Sequence, residues 1–123
     1  MEQMPPELLP YVEAAIYLPM LLAVLEKDYQ LLEQGEFKLK RPYLHLIAEA
    51  RECIQKDLKK AKAYLEENNV SVMRGSRDDL FTEYHFHYVN TVVVRRYSNI
   101  RLRNHSEQLL NVYLHQKPTI ETD

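Results

Sequence analysis

From Pro42 onward the residues Tyr43, Ile47, Ala50, Ile54, Leu58, Ala61 and Leu65 recur at steps of four and three. That spacing lays one apolar stripe along a helix, whereas the faces of a strand repeat every two residues. Proline suits the first turn of a helix, so Pro42 marks a start, and Asn68-Asn69 supplies a C-terminal stop. The opposite side mixes Arg51, Lys56, Lys59, Lys60 and Lys62 with Glu49, Glu52, Asp57, Glu66 and Glu67, a solvated face. So long a helix with so narrow a stripe needs a second apolar surface against it, and pairing across a dimer axis is one way to supply it.

The N-terminal region is a second strongly apolar element, suited to the middle of a bundle or a subunit interface. Its apolar positions Leu8, Val12, Ala15 and Ile16, then Leu21, Leu22, Leu25, Tyr29 and Leu32, also follow helical spacing. Between Ile16 and Leu25 the apolar character runs nearly all round, which calls for burial on several sides. Pro19 lacks an N–H and disfavours helical geometry at Leu18, so the spacing predicts two short helices or one kinked helix. Leu8 to Leu25 carries a single charge, Glu13, and could be taken for a membrane span. Pro10 and Pro19 would interrupt such a span, however, and the run without a charge from Ala14 to Leu25 is only as long as a buried core helix.

Gln34-Gly35 closes this region, and Lys38 to Arg41 reads as a short basic connector. After the long helix the period changes to two. Val70 to Arg74 reads as a strand, Gly75 to Asp79 as a turn, and Leu80 to Tyr88 as a second strand. Leu80, Thr82, Tyr84, Phe86 and Tyr88 share one face of it and Phe81, Glu83, His85 and His87 the other, with the aromatic face expected inside. A lone hairpin is marginal in water, so this one should lie on the helices. Asn90-Thr91 can cap a helix, while Val92-Val93-Val94 favours a strand. Our reading starts the last helix within Thr91 to Tyr97 and runs it to His115, with Leu102, Ser106, Leu109 and Tyr113 on one face and Ile100 and Val112 near them. The expected fold is thus α+β and mainly helical, a bundle with one β-hairpin between its last two helices. We expect a single domain over residues 1–115 and a frayed tail over 116–123, where Pro118 and polar residues fall.

With 123 residues, 46% apolar and 28% charged and a net charge of −2, the chain matches a globular domain and lacks the charge of a disordered one. Only two glycines, Gly35 and Gly75, are too few for the many turns of a β-sandwich. A single cysteine, Cys53, allows no internal disulfide and no Cys-based zinc site, which points to the cytoplasm. No basic segment precedes the first apolar stretch and position 2 is not glycine, so neither a secretory signal nor myristoylation is expected.

Two constellations carry chemistry. Arg74, Arg77, Arg95, Arg96, Arg101 and Arg103 follow one another with no lysine among them. Arginine forks grip phosphate and carboxylate, so these residues, with Asn104 and His105 adding donors, form a candidate nucleic-acid surface. The helix-then-hairpin order is similar to that of a winged helix, although the preceding helix is far too long for a recognition helix. The competing reading pairs these arginines with the first 36 residues, which hold seven Asp or Glu against Lys27 alone. The second constellation is Glu83, His85 and His87, an E-x-H-x-H pattern on one strand face that could present ligands to a divalent metal if His45 or His105 were brought near. Polar residues on the outer face of a hairpin give the same pattern.

The sequence holds no Gly-rich phosphate loop, no G-x-S-x-G and no H-E-x-x-H. Cys53 borders the core stripe, where a small packed thiol is the ordinary reading, and the nine tyrosines fall mostly on apolar faces. The general look is that of many small bacterial or phage proteins, which implies no activity. The expectation drawn from these residues is a non-enzymatic interaction or regulatory protein without a cofactor, a homodimer through the first apolar region or the long helix, with a nucleic-acid-binding protein and a metal-binding protein as the alternatives.

Overall fold

The computed structural model describes residues 4–115, and the expected C-terminal tail lies outside them. A 3-10 turn at Pro6–Leu8 leads into α1 (Leu9–Gln34) and α2 (Lys40–Glu67). These are followed by three strands, β1 (Val70–Arg77), β2 (Phe81–Tyr88) and β3 (Thr91–Ser98), and by α3 (Asn99–Leu114).

The long-helix stripe is where its spacing put it. Ile47, Ala50, Ile54, Leu58, Ala61 and Leu65 are all buried, and only Tyr43, in the first turn, stays exposed. The chain ends α2 at Asn68 and turns through Asn69, which takes the left-handed conformation at φ 58° that asparagine tolerates. What covers the stripe is α1, folded back on α2 through a five-residue connection, Gly35 to Leu39. Leu18, Leu21 and Leu25 of α1 meet Ile47, Ala50, Ile54 and Leu58 of α2 in one cluster. Polar links fasten the same hairpin, with Arg51 paired to Glu26 at 3.1 Å and Lys40 Nζ donating to the Glu33 carbonyl. Pro19 does not divide α1. It removes one backbone donor, and the helix continues because the residues before and after it, Tyr17, Leu18 and Leu21, are buried. Among the described residues, Pro6–Gln34 is the one helical stretch long and apolar enough to cross a membrane.

The strands form an antiparallel meander in the order β1-β2-β3. The sheet lays its inner face on the start of α1 and the end of α2, where Val70, Tyr84 and Phe86 pack with Leu8, Val12, Ile16, Tyr17, Leu65 and Leu102 in a second cluster. The alternation read from β2 therefore holds, with Thr82, Tyr84 and Phe86 buried and His87 exposed on the other side. β1 runs past Arg74 to Arg77, with its register shifting between those two residues. Asp78 makes the following turn, its Oδ1 accepting from the backbone N–H of both Leu80 and Phe81 at 2.8 Å. These bonds hold the Asp78 carboxyl below its ordinary pKa.

The expected helix start within Thr91 to Tyr97 is corrected by the structure: that segment is β3, paired with β2 from Phe81↔Ser98 to Tyr88↔Thr91. Val89 and Asn90, both at positive φ (51° and 56°), make the two-residue connection, so Asn90 turns a hairpin and does not cap a helix. The helix cap falls later. Ser98 accepts from the Arg101 N–H at 3.0 Å and starts α3. Only Leu102 of α3 is fully buried, and Ile100 and Val112 face outward. Asn99 ties the junction to the β1–β2 turn, taking the Thr82 hydroxyl hydrogen on its Oδ1 at 2.7 Å and donating to the Asp78 carbonyl.

Candidate functional site

The sheet gathers the residues that the sequence singled out, and it distributes them over two faces. On the inner face, Arg74 and Arg95 stand on either side of Tyr84, and Arg77 stands beside Thr82, with Tyr97 on that residue's other side. Arg101 joins them from α3, since its charge acts on Tyr17 and Tyr97. Arg96 is on the outer face, its guanidinium 4.3 Å over the Phe81 ring and opposite Glu83. Arg101 and Arg103 flank the buried Leu102 and so leave α3 on different sides. The six arginines do not form one surface, and four of them collect around Tyr84 and Tyr97.

Among the described residues none of these arginines pairs within 4.0 Å with a carboxylate of the N-terminal region: Arg51 pairs with Glu26, and His85 lies against Glu83. The phenols between the arginines are perturbed instead. Burial raises the pKa of both Tyr84 and Tyr97, and the neighbouring guanidiniums oppose the shift. The Tyr97 hydroxyl is shut off from solvent without a hydrogen bond of good geometry, although Arg95 lies near enough to act on it.

Glu83, His85 and His87 share the outer face, as their alternation requires. His85 Nε2 lies 3.4 Å from Glu83 Oε1, a long contact, and neither His45 nor His105 completes a ligand set. Among the described residues, no three His, Cys, Asp or Glu side chains come close enough together to hold a metal ion.

What the sequence reading missed is the rest of this outer face. With β3 in the sheet, His85 stands between Met73 and Val94, and His87 between Ser71 and Val92. Met73, Val92 and Val94 are 58%, 50% and 52% exposed. The alternation of Val92 and Val94 was the available signal, and placing a helix there hid it. The two edges of the sheet also differ. β1 is broken by its register shift, a common device for blunting an edge, whereas β3 pairs with β2 without a break over all eight residues. Among the described residues its other side meets no strand, and its residues include Thr91 and three successive valines.

Three helices on one face of a short antiparallel meander, with the other face uncovered among the described residues, define a small, mainly helical α+β protein. The chain belongs to the YhjD protein family, which its residues 3–118 match. It is 33% identical over 108 residues to the "Uncharacterized protein YhjD" of Bacillus subtilis (strain 168), an alignment that covers 88% of this chain and 90% of that one. No solved structure matches it significantly.

Proposed function

We propose that this is a non-enzymatic interaction protein of the cytoplasm that works as a homodimer, joined by antiparallel pairing of β3 with β3 of a second copy. The observation that carries the reading is the regular, unpaired β3 edge beside a bare sheet face bearing Met73, Val92 and Val94. Of the two registers that overlap seven residues of β3, one is self-complementary. A twofold axis perpendicular to the sheet keeps both outer faces on the same side, so residues of like face must stand opposite each other. Centring the axis on Val94 sets Val94 against Val94 of the second copy and Val92 against the aliphatic stem of Arg96, and it overlaps residues 91–97. Centring it on Arg95 would oppose two guanidiniums. The result is a continuous six-stranded sheet with the helices on one side. Supporting a soluble setting, the apolar residues Val12, Ile16, Leu18, Leu21 and Leu25 of α1 are packed against α2 and the sheet.

Sedimentation equilibrium tests this directly. At about 100 μM, well above the Kd of a standard-size interface, the wild-type chain is expected at twice its 14.7 kDa. Val94→Lys, which places two ammonium groups at the axis on a half-exposed position, is expected to be a folded monomer. A wild-type monomer at that concentration, or a dimer indifferent to Val94→Lys, sinks the proposal.

A second reading has its own observation: Arg74, Arg77, Arg95 and Arg101 surround Tyr84 and Tyr97 and make no ion pair with the carboxylates among the described residues. As a phosphate-binding surface, they would hold labelled duplex or single-stranded oligonucleotides with an affinity that falls steeply between roughly 50 and 200 mM salt. Absence of binding at the lower salt removes this reading.

A further inference from the structure

Away from the sheet, the three helices enclose a cleft of about 460 Å³. Its walls are three helical stripes: Pro10, Glu13, Ala14, Tyr17 and Leu18 of α1, Asp57, Lys60 and Ala61 of α2, and His105, Leu109 and Tyr113 of α3. The spacings are steps of three and four, so each helix turns one continuous strip of surface into the space. The opening has a packing cause. Ala14 and Ala61 present methyl groups where two long helices face the shorter α3, and α3 fully buries only Leu102. Volumes of this size are those of small-molecule sites.

The lining defines a chemistry. Tyr11, Tyr17 and Tyr113 bring three aromatic rings to the cleft, and Glu13 and Asp57 bring two carboxylates against one ammonium, Lys60. The rings are fixed by neighbours: Tyr11 stacks on Tyr64 at 4.0 Å, Tyr17 meets the edge of His105 at 4.5 Å, and the Tyr113 hydroxyl donates to Asp57 Oδ2 at 2.6 Å. That bond leaves Asp57 Oδ1 available as an acceptor. Glu13 makes no ion pair within 4.0 Å among the described residues. The local field agrees: besides burial, Glu13 raises the Tyr17 pKa and Asp57 raises that of Tyr113, as negative charge beside a phenol does.

We infer that this interhelical cleft binds an organic ammonium ion with an apolar or aromatic body, the cation lying between Glu13 and Asp57 and the body against Tyr11, Tyr17, Ala14 and Leu109. Tyrosine faces attract cations through the ring quadrupole, and a carboxylate beside such a face adds direct charge pairing. The small residues make room for the body. A carboxylate ligand of the same shape meets two like charges, and a neutral one forgoes the attraction.

The chain has no tryptophan, so indole fluorescence comes from an added probe alone. Full-length protein titrated into tryptamine, tryptophol or indole-3-propionate compares three ligands that differ at the side-chain terminus. Tryptamine is expected to bind about tenfold or more tighter than tryptophol, and indole-3-propionate weakest of all. Glu13→Gln and Asp57→Asn, which keep side-chain shape, are each expected to weaken tryptamine about fivefold, and Ala14→Leu to fill the cleft and abolish its binding. Circular dichroism confirms that each variant is folded, and if Ala14→Leu is not, the two amide variants carry the test. Equal affinity for tryptamine and tryptophol, tighter binding of the carboxylate, tryptamine binding unchanged by the amide variants, or no binding of any probe at about 10 mM overturns the inference. Val94→Lys is expected to leave tryptamine affinity unchanged, which separates failure of this site from failure of the dimer.

Discussion

The two faces of β2 are made from alternate residues of one eight-residue strand, and they meet different surroundings. Inward, Thr82, Tyr84 and Phe86 are buried, and Val72 and Val93 stand on either side of Phe86 in the flanking strands. Outward, Glu83, His85 and His87 alternate with nothing above them, while Met73, Val92 and Val94 leave apolar surface in water. The inner face is explained by the stability of one chain. The outer face is not, because half-exposed side chains add little to folding. Under the proposed dimer Val92 and Val94 lie along the β3 seam, so the residues that would join two copies are not the ones that fold one.

The widest separation of the two faces is expected from truncation. Phe86→Ala removes a ring that is wholly buried, and a loss of about 3–5 kcal/mol is expected in chemical denaturation. Met73→Ala on the other face is expected to stay within about 0.5 kcal/mol. Comparable losses for both would show that the outer face is covered within the monomer, and the contrast between the two faces would fall.

Next in size is Thr82→Val, which keeps the shape of a buried inner-face residue and deletes the hydroxyl that donates to Asn99. Asn99 Oδ1 would lose its donor, so a cost of about 1–3 kcal/mol is expected, with faster amide exchange at the β1–β2 turn that Asn99 holds. His87→Ala, which has no such tie, is the control. A neutral Thr82→Val would mean that the Asn99 clamp does not fasten the turn to α3.

The opposite sign is expected at the β2–β3 connection. Val89 is β-branched at φ 51°, a conformation that asparagine or glycine takes far more readily. The double substitution Val89→Asn and Asn90→Gly installs the usual pair for such a turn and is expected to stabilise the chain by about 1 kcal/mol, seen as a higher unfolding midpoint. The same position explains the largest error of the sequence reading. A turn built from Val-Asn lacks the glycine that announces a hairpin, and Asn90-Thr91 imitates a helix cap, so β3 was taken for the start of α3. By contrast, the α2 stripe and the β2 alternation were legible because each is a repeated period in which no single residue decides. At Pro19 the sequence left open a split or a single helix, and burial on both sides of the proline decides for the single one. The arginines and the Glu83, His85 and His87 set were visible as residue types, but their partition between faces depended on a strand that had not been placed. The cleft was invisible, because its residues are spread over three helices and its space arises from Ala14 and Ala61, residues that carry no chemistry.

The smallest effect concerns the inner-face phenols and the cleft. Tyr17, Tyr84, Tyr97 and Tyr113 all have pKa values raised from 10.0, burial being the largest cause in each case, and for Tyr113 the Asp57 carboxylate adds to it. A phenol whose folded pKa exceeds its unfolded one favours the fold while it is neutral. Its contribution is fully present below the ordinary value near 10.0 and is lost as pH rises through the raised one. The unfolding midpoint is therefore expected to decline above about pH 10. In an absorbance titration these four rings should ionise late, and Tyr113→Phe should remove part of the late signal. Asp57→Asn separates the two causes, since it withdraws the charge but leaves the ring where it is. If the late step moves to lower pH in that variant, the negative charge of the cleft acts on Tyr113 as the proposed ammonium site requires. If it does not move, burial alone holds that phenol neutral and the field attributed to Asp57 is too weak to select a cation.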